Sequence, residues 1–249
     1  MRLKLKVGLN MAIDQRMQDI MNIISSLELR KGKECALDIG VGNGEITKLL
    51  IESGYSTTAI GLGIDTYDIE LEKIKKQGVN LIECSVEKMP FDDNSFDFIV
   101  MSHILEHVLN IGVALAEVRR VLKENGKLLI IVPPYSDVIM AGHVSTGWNV
   151  GQLIYVMLLN GFAVNGGKFI EYGWNVCGLV GKNNELLPNL RYDRGDISKL
   201  NKAKLFPLPI ENAGYNDDAF TGRIRAVNWY NIDALPLNIN KNKEYYFGF

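Results

Sequence analysis

The sequence has few of the features that mark a secreted, membrane-spanning or nucleic-acid-binding chain. No apolar run reaches the roughly 18 residues that a membrane span needs, and the basic start of the chain lacks the apolar core of a signal peptide. Lys and Arg number 27 against 29 Asp and Glu, a formal net charge of −2, so no overall basic field favours nucleic acid or an anionic membrane. We therefore expect a cytoplasmic protein whose partner is a small molecule, with no nucleic acid and no membrane.

Cysteine is also scarce. Cys35, Cys84 and Cys177 are the only three, and they are far apart in the chain. No C-x-x-C spacing is present, which excludes the zinc and redox motifs built on that spacing. We expect buried structural thiols in a reducing compartment.

What the sequence does contain is a regular alternation of short apolar strands and amphipathic helices. The periodicity predicts strands at 35–39, 57–64, 79–84, 96–101 and 127–132, with helices at 45–52, 69–76 and 112–123. Such alternation is typical of a parallel sheet with right-handed crossovers. A helix at 149–160 then precedes two strand-like runs, 162–170 and 173–181, which predict an antiparallel hairpin at the sheet edge. The predicted fold is α/β and Rossmann-like, with a mostly parallel seven-stranded sheet flanked by helices.

The pattern divides the chain into three parts. Residues 1–30 form an N-terminal helical segment, residues 31–181 the α/β domain, and residues 182–249 a C-terminal extension with weak periodicity. The extension is too aromatic for simple disorder. We interpret it as a cap or an oligomer contact, with a homodimer as the oligomer to test.

A glycine-rich turn follows the first strand, in the order Asp38-Ile39-Gly40-Val41-Gly42-Asn43-Gly44. Such a turn lets the backbone approach a ligand closely and directs the amides of the next helix at it. The dinucleotide fingerprint is G-x-G-x-x-G. Here Glu45 stands at the position of its third glycine, so the G-x-G-x-G spacing disfavours a nicotinamide-dependent oxidoreductase.

This turn resembles the first motif of class I S-adenosylmethionine-dependent methyltransferases. Three later segments resemble that family in the same order, namely GLGIDTYD, CSVEKMPFDDNSFDFIVMSHILEHV and EVRRVLKENGKLLIIVPP. The resemblance covers about residues 33–181. It implies S-adenosylmethionine as the cofactor and methyl transfer as the reaction.

The resemblance also implies where the cofactor binds. Asp38 would hold its amino-acid end, Asp65 its ribose, and the loop Ser85-Val86-Glu87 its adenine, although the family commonly has an acidic residue followed by a small one in that loop. A turn-capping role is the structural alternative for both aspartates. The full set is Asp38, Gly40, Gly42, Gly44, Asp65, Ser85, Val86, Glu87 and Ser102.

A second group of polar residues follows the fourth predicted strand. If this segment is helical, His103, Glu106 and His107 share one face. They could supply a general base, bind a divalent metal or form a structural cluster. The L-E-H-V string resembles ubiquinone-pathway O-methyltransferases, whose cluster is linked to a metal and begins with an acidic residue. With only one carboxylate here, we expect no metal and keep the three residues as weak candidate ligands.

His143, the third and last histidine, follows the fifth strand in GHVSTGW. The segment resembles methyltransferases of small polar molecules, in which His143 and Trp148 would face the acceptor. The candidate catalytic residues are therefore His143, His103 and His107. Few aromatic residues surround this predicted site, which favours O-methylation of a small polar metabolite such as a sugar, a nucleotide-linked sugar or a phosphorylated intermediate. The alternatives are an RNA or protein methyltransferase and an inert cofactor-binding module.

Overall fold

The structure is a computed structural model that describes most of the chain. The described residues are 15–24, 27, 34–64, 74–138, 140, 142–145, 147–193, 195–206, 211–213, 216–219, 223–229 and 244–247.

Eleven strands occur among these residues. They are β1 (Cys35–Ile39), β2 (Ser56–Gly61), β3 (Asn80–Glu83), β4 (Phe96–Ser102), β5 (Leu122–Val132), β6 (Phe162–Tyr172), β7 (Asn175–Lys182), β8 (Glu211–Ala213), β9 (Asn216–Ala219), β10 (Arg223–Val227) and β11 (Glu244–Phe247). Nine of the described strands form one sheet in the order β11-β10-β6-β7-β5-β4-β1-β2-β3, and β8 and β9 pair separately.

Helices cover both faces of this sheet. They are α1 (15–24), α2 (Glu45–Glu52), α3 (described over 74–76), α4 (Ile111–Val121), α5 (Val150–Leu159) and α6 (Asp196–Lys202). Side chains of α4 and α5 pack with Leu128 and Ile130 of β5. Side chains of α1 and α2 pack with Leu129 and Ile131. Successive residues of β5 therefore point to opposite faces, and the sheet is buried on both sides.

The predicted α/β architecture is confirmed. Strands β1, β2, β3 and β4 run parallel, as does β4 with β5, and β7 runs antiparallel to both β5 and β6. The predicted hairpin is β6 and β7. However, β10 pairs with the outer side of β6, so the hairpin does not form the sheet edge. The sheet has nine described strands rather than seven because two come from residues 182–249, where periodicity is weak.

The extension thus adds strands to the sheet of the preceding residues, while its role as a cap or oligomer contact stays a prediction. The expectation of buried cysteines holds for Cys177 but not for Cys35 and Cys84, which are partly exposed. Within the described residues, no helix has both the length and the apolar character to cross a membrane.

The topology brings several segments to one edge. Strands β1, β4 and β5 are parallel, and β6 points the same way because both it and β5 are antiparallel to β7. Their carboxyl ends therefore meet at the same edge, where open α/β sheets bind ligands. The glycine-rich turn, the His103 segment, the loop after β5 and the β6–β7 turn all lie there.

Candidate active site

The glycine-rich turn adopts a backbone that favours glycine. Gly40, Gly42 and Gly44 have φ values of 90°, 49° and 89°, all in the left-handed region. A Cβ at Gly40 would collide with the Ile104 side chain, whereas a Cβ at Gly42 would meet only the Gly40 carbonyl oxygen, at 3.9 Å. Gly40 thus permits packing against the segment after β4, and Gly42 faces open space. Gly44, at the amino end of α2, has no side chain to cap the helix, so amides of the first turn other than that of Thr47, which bonds to Asp38, can point at a ligand.

Asp38 lies beneath this turn and is completely buried. Its Oδ2 accepts a hydrogen bond of 2.5 Å from the Thr47 hydroxyl on α2, and its Oδ1 is buried with no hydrogen-bond partner among the described residues. Burial raises the pKa of this carboxyl to about 7. The contact joins β1 to α2, as a capping carboxylate would. Its predicted role at the amino-acid end of the cofactor stays a prediction.

Hydrogen bonds join the loop after β2 to the loop after β3, next to the glycine-rich turn. The Gly63 amide donates to Glu83 Oε1 at 3.1 Å, and the Cys84 amide donates to the Gly61 carbonyl at 3.1 Å. Ser85 Oγ accepts from the Glu87 amide at 3.2 Å, so this hydroxyl closes its own turn. Val86 is mostly buried, as is Glu87 Oε1, which has no partner among the described residues.

Ser102 and Asp65 are the two remaining residues of the predicted cofactor-binding set. Ser102 is half-buried at the end of β4, and Asp65 lies outside the described residues. The open face at Gly42, and the buried oxygens of Asp38 and Glu87 that have no partner among the described residues, fit a polar ligand such as S-adenosylmethionine.

His103 follows β4 in a backbone conformation that is rare for a residue other than glycine, with φ of 53°. Its amide donates to the Ile131 carbonyl at 2.8 Å, and its Nε2 lies 2.8 Å from Asn175 Oδ1 at the start of β7. Its Nδ1 lies 3.2 Å from Glu106 Oε1. Contacts on three sides hold this strained residue, as is common at functional sites.

Glu106, the one acid among these three residues, is buried. Its exposure is 0%, and neither carboxylate oxygen has a hydrogen-bond partner among the described residues. The contact with His103 is an ion pair when that imidazole is protonated. A buried, unpaired carboxylate is costly, so protonated His103 or a bound cation would stabilise Glu106.

His107 is oriented by the loop after β5. Its Nδ1 lies 2.9 Å from the Gly142 carbonyl oxygen, which can only accept a hydrogen bond. Nδ1 therefore carries the hydrogen, and the neutral ring keeps a free lone pair on Nε2. The His143 ring packs edge-to-face on His107 with centroids 4.8 Å apart.

The structure groups the histidines differently from the helical face considered from the sequence. Only Leu105–His107 form a single 3₁₀ turn, and the left-handed His103 lies outside it. Potential ligand atoms of Glu106, His107 and His143 lie within 4.8 Å of one another, so these three could hold a metal ion or share a proton. His103 belongs instead with Asn175, a residue for which the sequence offered no signal because it lies 72 positions away.

Comparison with known proteins agrees with this geometry. Residues 37–130 match the family model described as "Methyltransferase domain". The ubiquinone/menaquinone biosynthesis C-methyltransferase UbiE of Shewanella pealeana is 34% identical over 116 residues, 43% of this chain and 45% of that protein. Over residues 37–130, which are less than half of its length, the chain is therefore similar to methyltransferase domains.

Other similar proteins are consistent with this domain. The sterol 4-C-methyltransferase strm-1 of Caenorhabditis elegans is 29% identical over 113 residues, 44% of this chain and 34% of that protein. The chain therefore spans less than half the length of these two relatives. A solved S-adenosylmethionine-dependent methyltransferase from Aquifex aeolicus shares the fold, with a TM-score of 0.55, 22% identity, and coverage of 66% of this chain and 88% of that one.

Proposed function

We propose that the chain transfers a methyl group from S-adenosylmethionine to a hydroxyl oxygen of a small metabolite. The match over residues 37–130 supports the reaction class. The observation that carries a hydroxyl-bearing acceptor is the His107 ring, whose Nδ1 is occupied by Gly142 and whose Nε2 has no hydrogen bond among the described residues. The cofactor supplies a methyl group already activated by a positively charged sulfur. The protein must position the acceptor and take its proton.

His107 is the candidate base. A neutral hydroxyl is a poor nucleophile, and its proton must leave as the oxygen attacks. Nε2 of His107 can accept that proton, while Gly142 fixes the ring and His143 packs against it. The buried Glu106 carboxylate, within 4.8 Å of both imidazoles, would stabilise the imidazolium that forms.

A carbon acceptor is the second candidate, because the names of both curated relatives describe C-methyltransferases. Removing the proton of a hydroxyl on an aromatic ring makes the neighbouring ring carbon nucleophilic as well, and that carbon loses its own proton after it accepts the methyl group. The same base therefore serves either outcome. The position of the new methyl group, on oxygen or on carbon, distinguishes the two candidates.

The test is incubation with methyl-labelled S-adenosylmethionine and a panel of hydroxylated small molecules, with products identified by mass spectrometry and NMR. We expect an O-methylated product. His107→Gln should lower turnover by about 10²- to 10⁴-fold while binding of S-adenosylhomocysteine is unchanged. Binding without any labelled product would instead indicate an inert module, and label in added RNA or protein a macromolecular acceptor.

A chelator distinguishes the two roles of the Glu106, His107 and His143 group. If His107 acts as a base, turnover persists in a strong chelator. Loss of turnover that zinc, manganese or magnesium restores would assign the group to a metal, which would lower the acceptor's pKa in place of a base.

A further inference from the structure

A cavity of about 710 Å³ lies at the same edge of the sheet, between α5, β6 and the C-terminal extension. Its volume is within the range of small-molecule pockets. Apolar and aromatic side chains dominate its lining, and they come from widely separated parts of the chain: Tyr135, Trp148, Tyr155, Ile197, Phe206 and Ile224. None of its lining residues belongs to the glycine-rich turn, so the cavity does not overlap the expected cofactor site.

The loop after β5 is described at residues 142–145, which contact the histidine group, and at residues 147–148, of which Trp148 lines the cavity. At one end the Val144 amide donates to the Glu106 carbonyl at 2.7 Å, and at the other the Trp148 amide donates to the Pro133 carbonyl at 3.0 Å. Gly147 has φ of 102° and lies so close to Pro134 that a Cβ on Gly147 would collide with the Pro134 carbonyl oxygen. Four residues span at most about 14 Å, so the Trp148 backbone lies no farther than this from the Val144 backbone that bonds to Glu106.

The indole N–H of Trp148 lacks a hydrogen-bond acceptor among the described residues. The side chain is 4% exposed, and its indole N–H is buried with no acceptor among the described residues. A buried donor without an acceptor is costly and calls for a ligand oxygen. The carboxylate of Glu171, also in the lining, has a partner in Arg225 at 3.1 Å and so does not require a cationic ligand.

We propose that this cavity is the acceptor pocket and that it binds a hydroxylated molecule with a flat, apolar ring system. The proposal rests on the proposed methyltransferase function and names its acceptor class. The rings stack among the aromatic side chains, an oxygen accepts from the Trp148 indole, and a hydroxyl extends along the loop after β5 towards His107. A sugar or a phosphorylated intermediate, expected from the sequence, would meet the polar side chains of Asn149, Gln152 and Glu171 in this lining, but it would leave the aromatic faces without an apolar partner.

The test measures binding directly, with protein saturated with S-adenosylhomocysteine. Calorimetry compares 2-naphthol, a hydroxylated bicyclic ring, with methyl glucoside. We expect 2-naphthol to bind at least tenfold more tightly. Equal affinities, or tighter binding of the glucoside, would overturn the proposal.

Two glycines provide a matched pair of variants. Gly151 lines the cavity and is the second residue of α5, and Gly112 is the second residue of α4. A Cβ at either position meets only ordinary contacts, at 3.5 and 3.6 Å. Gly151→Leu should fill the cavity and weaken 2-naphthol binding at least tenfold, while Gly112→Leu leaves it unchanged. Equal probe affinity in the two variants would overturn the assignment.

Two tryptophans test the hydrogen bond. Trp148→Phe keeps an aromatic ring but removes the indole N–H, and we expect a three- to tenfold loss of 2-naphthol affinity. Trp229 is equally buried, at 4% exposure, on the opposite face of the sheet, so Trp229→Phe should have no effect. Failure of the wild-type protein to bind S-adenosylhomocysteine would refute the proposed function. A normal cofactor response without selective binding of 2-naphthol would refute only the pocket.

Discussion

Burial is the largest influence on the pKa of Asp38. It is a carboxyl with no exposed surface, held by Thr47 and without a cation among its described contacts. Its pKa is raised from 3.8 to about 7 because burial disfavours the charged form. The folded protein therefore binds a proton that the unfolded chain releases between these pH values, and stability falls as the pH rises through this window.

Asp38→Asn removes this effect, because the amide stays neutral and can still accept from Thr47. Without cofactor, we expect the variant to exceed the wild type in free energy of unfolding by a margin that grows from pH 4 to pH 7. The margin is then constant, at most about 4 kcal/mol. Urea unfolding at several pH values measures it. A difference independent of pH would mean that Asp38 is ionised in the folded state.

Residue identities in the site could be predicted better than their contacts. The sequence indicated His103, His107 and His143 because they are its only histidines and follow strands of a recognisable domain. It could not indicate that His107 packs on His143 or that His103 contacts Asn175. These pairings depend on how β4, β5 and β7 lie side by side, which local periodicity does not determine.

Between elements, the glycine-rich turn and the segment after β4 are coupled through Gly40 and Ile104. Gly40→Ala adds a Cβ in a left-handed backbone and against the Ile104 side chain. We expect a loss of roughly 2–4 kcal/mol in the free energy of unfolding, the sum of backbone strain and overpacking.

Adding Ile104→Ala to Gly40→Ala should recover the part of the lost free energy of unfolding that comes from overpacking. A double-mutant cycle by chemical denaturation measures this coupling. Additive losses in the cycle would show that the two side chains do not meet.

Two elements of the first half were predicted with their bounds because each has a clean period and a clear stop, whereas most of the predicted helix 69–76 lies outside the described residues. CALDI gave β1 with its correct bounds, and Glu45–Glu52 gave α2, closed by Gly54. Neither the pairing of β10 with β6 nor strand β11 was predicted, since a strand added at a sheet edge is determined by its partner rather than by its own pattern.

In the whole molecule, an ion pair joins the C-terminal extension to the rest of the sheet. Arg225 on β10 lies 3.1 Å from the Glu171 carboxylate on β6, and the Glu171 side chain is only 4% exposed. Such a contact joins two strands that are more than 50 residues apart in the chain. It also forms part of the wall of the proposed acceptor pocket.

Arg225→Met removes the cation from a buried carboxylate, and we expect a loss of about 2–3 kcal/mol, with Glu171→Gln restoring most of it in the double variant. Lys48→Met is the control, because the Lys48–Glu52 pair is exposed and 3.9 Å apart, and it should change stability by less than about 1 kcal/mol. Urea unfolding compares them. Equal, small losses would mean that the extension is held by other contacts.

We propose that S-adenosylmethionine binds at the carboxyl edge of the sheet, across the glycine-rich turn. Gly42 and Gly54 both have positive φ, and a Cβ at either meets nothing within 3.8 Å, but only Gly42 faces the predicted cofactor. Calorimetric titration with S-adenosylhomocysteine should show one site in the wild type, at least tenfold weaker binding in Gly42→Ala, and unchanged binding in Gly54→Ala. No binding by the wild type, or equal binding by the two variants, would contradict the account.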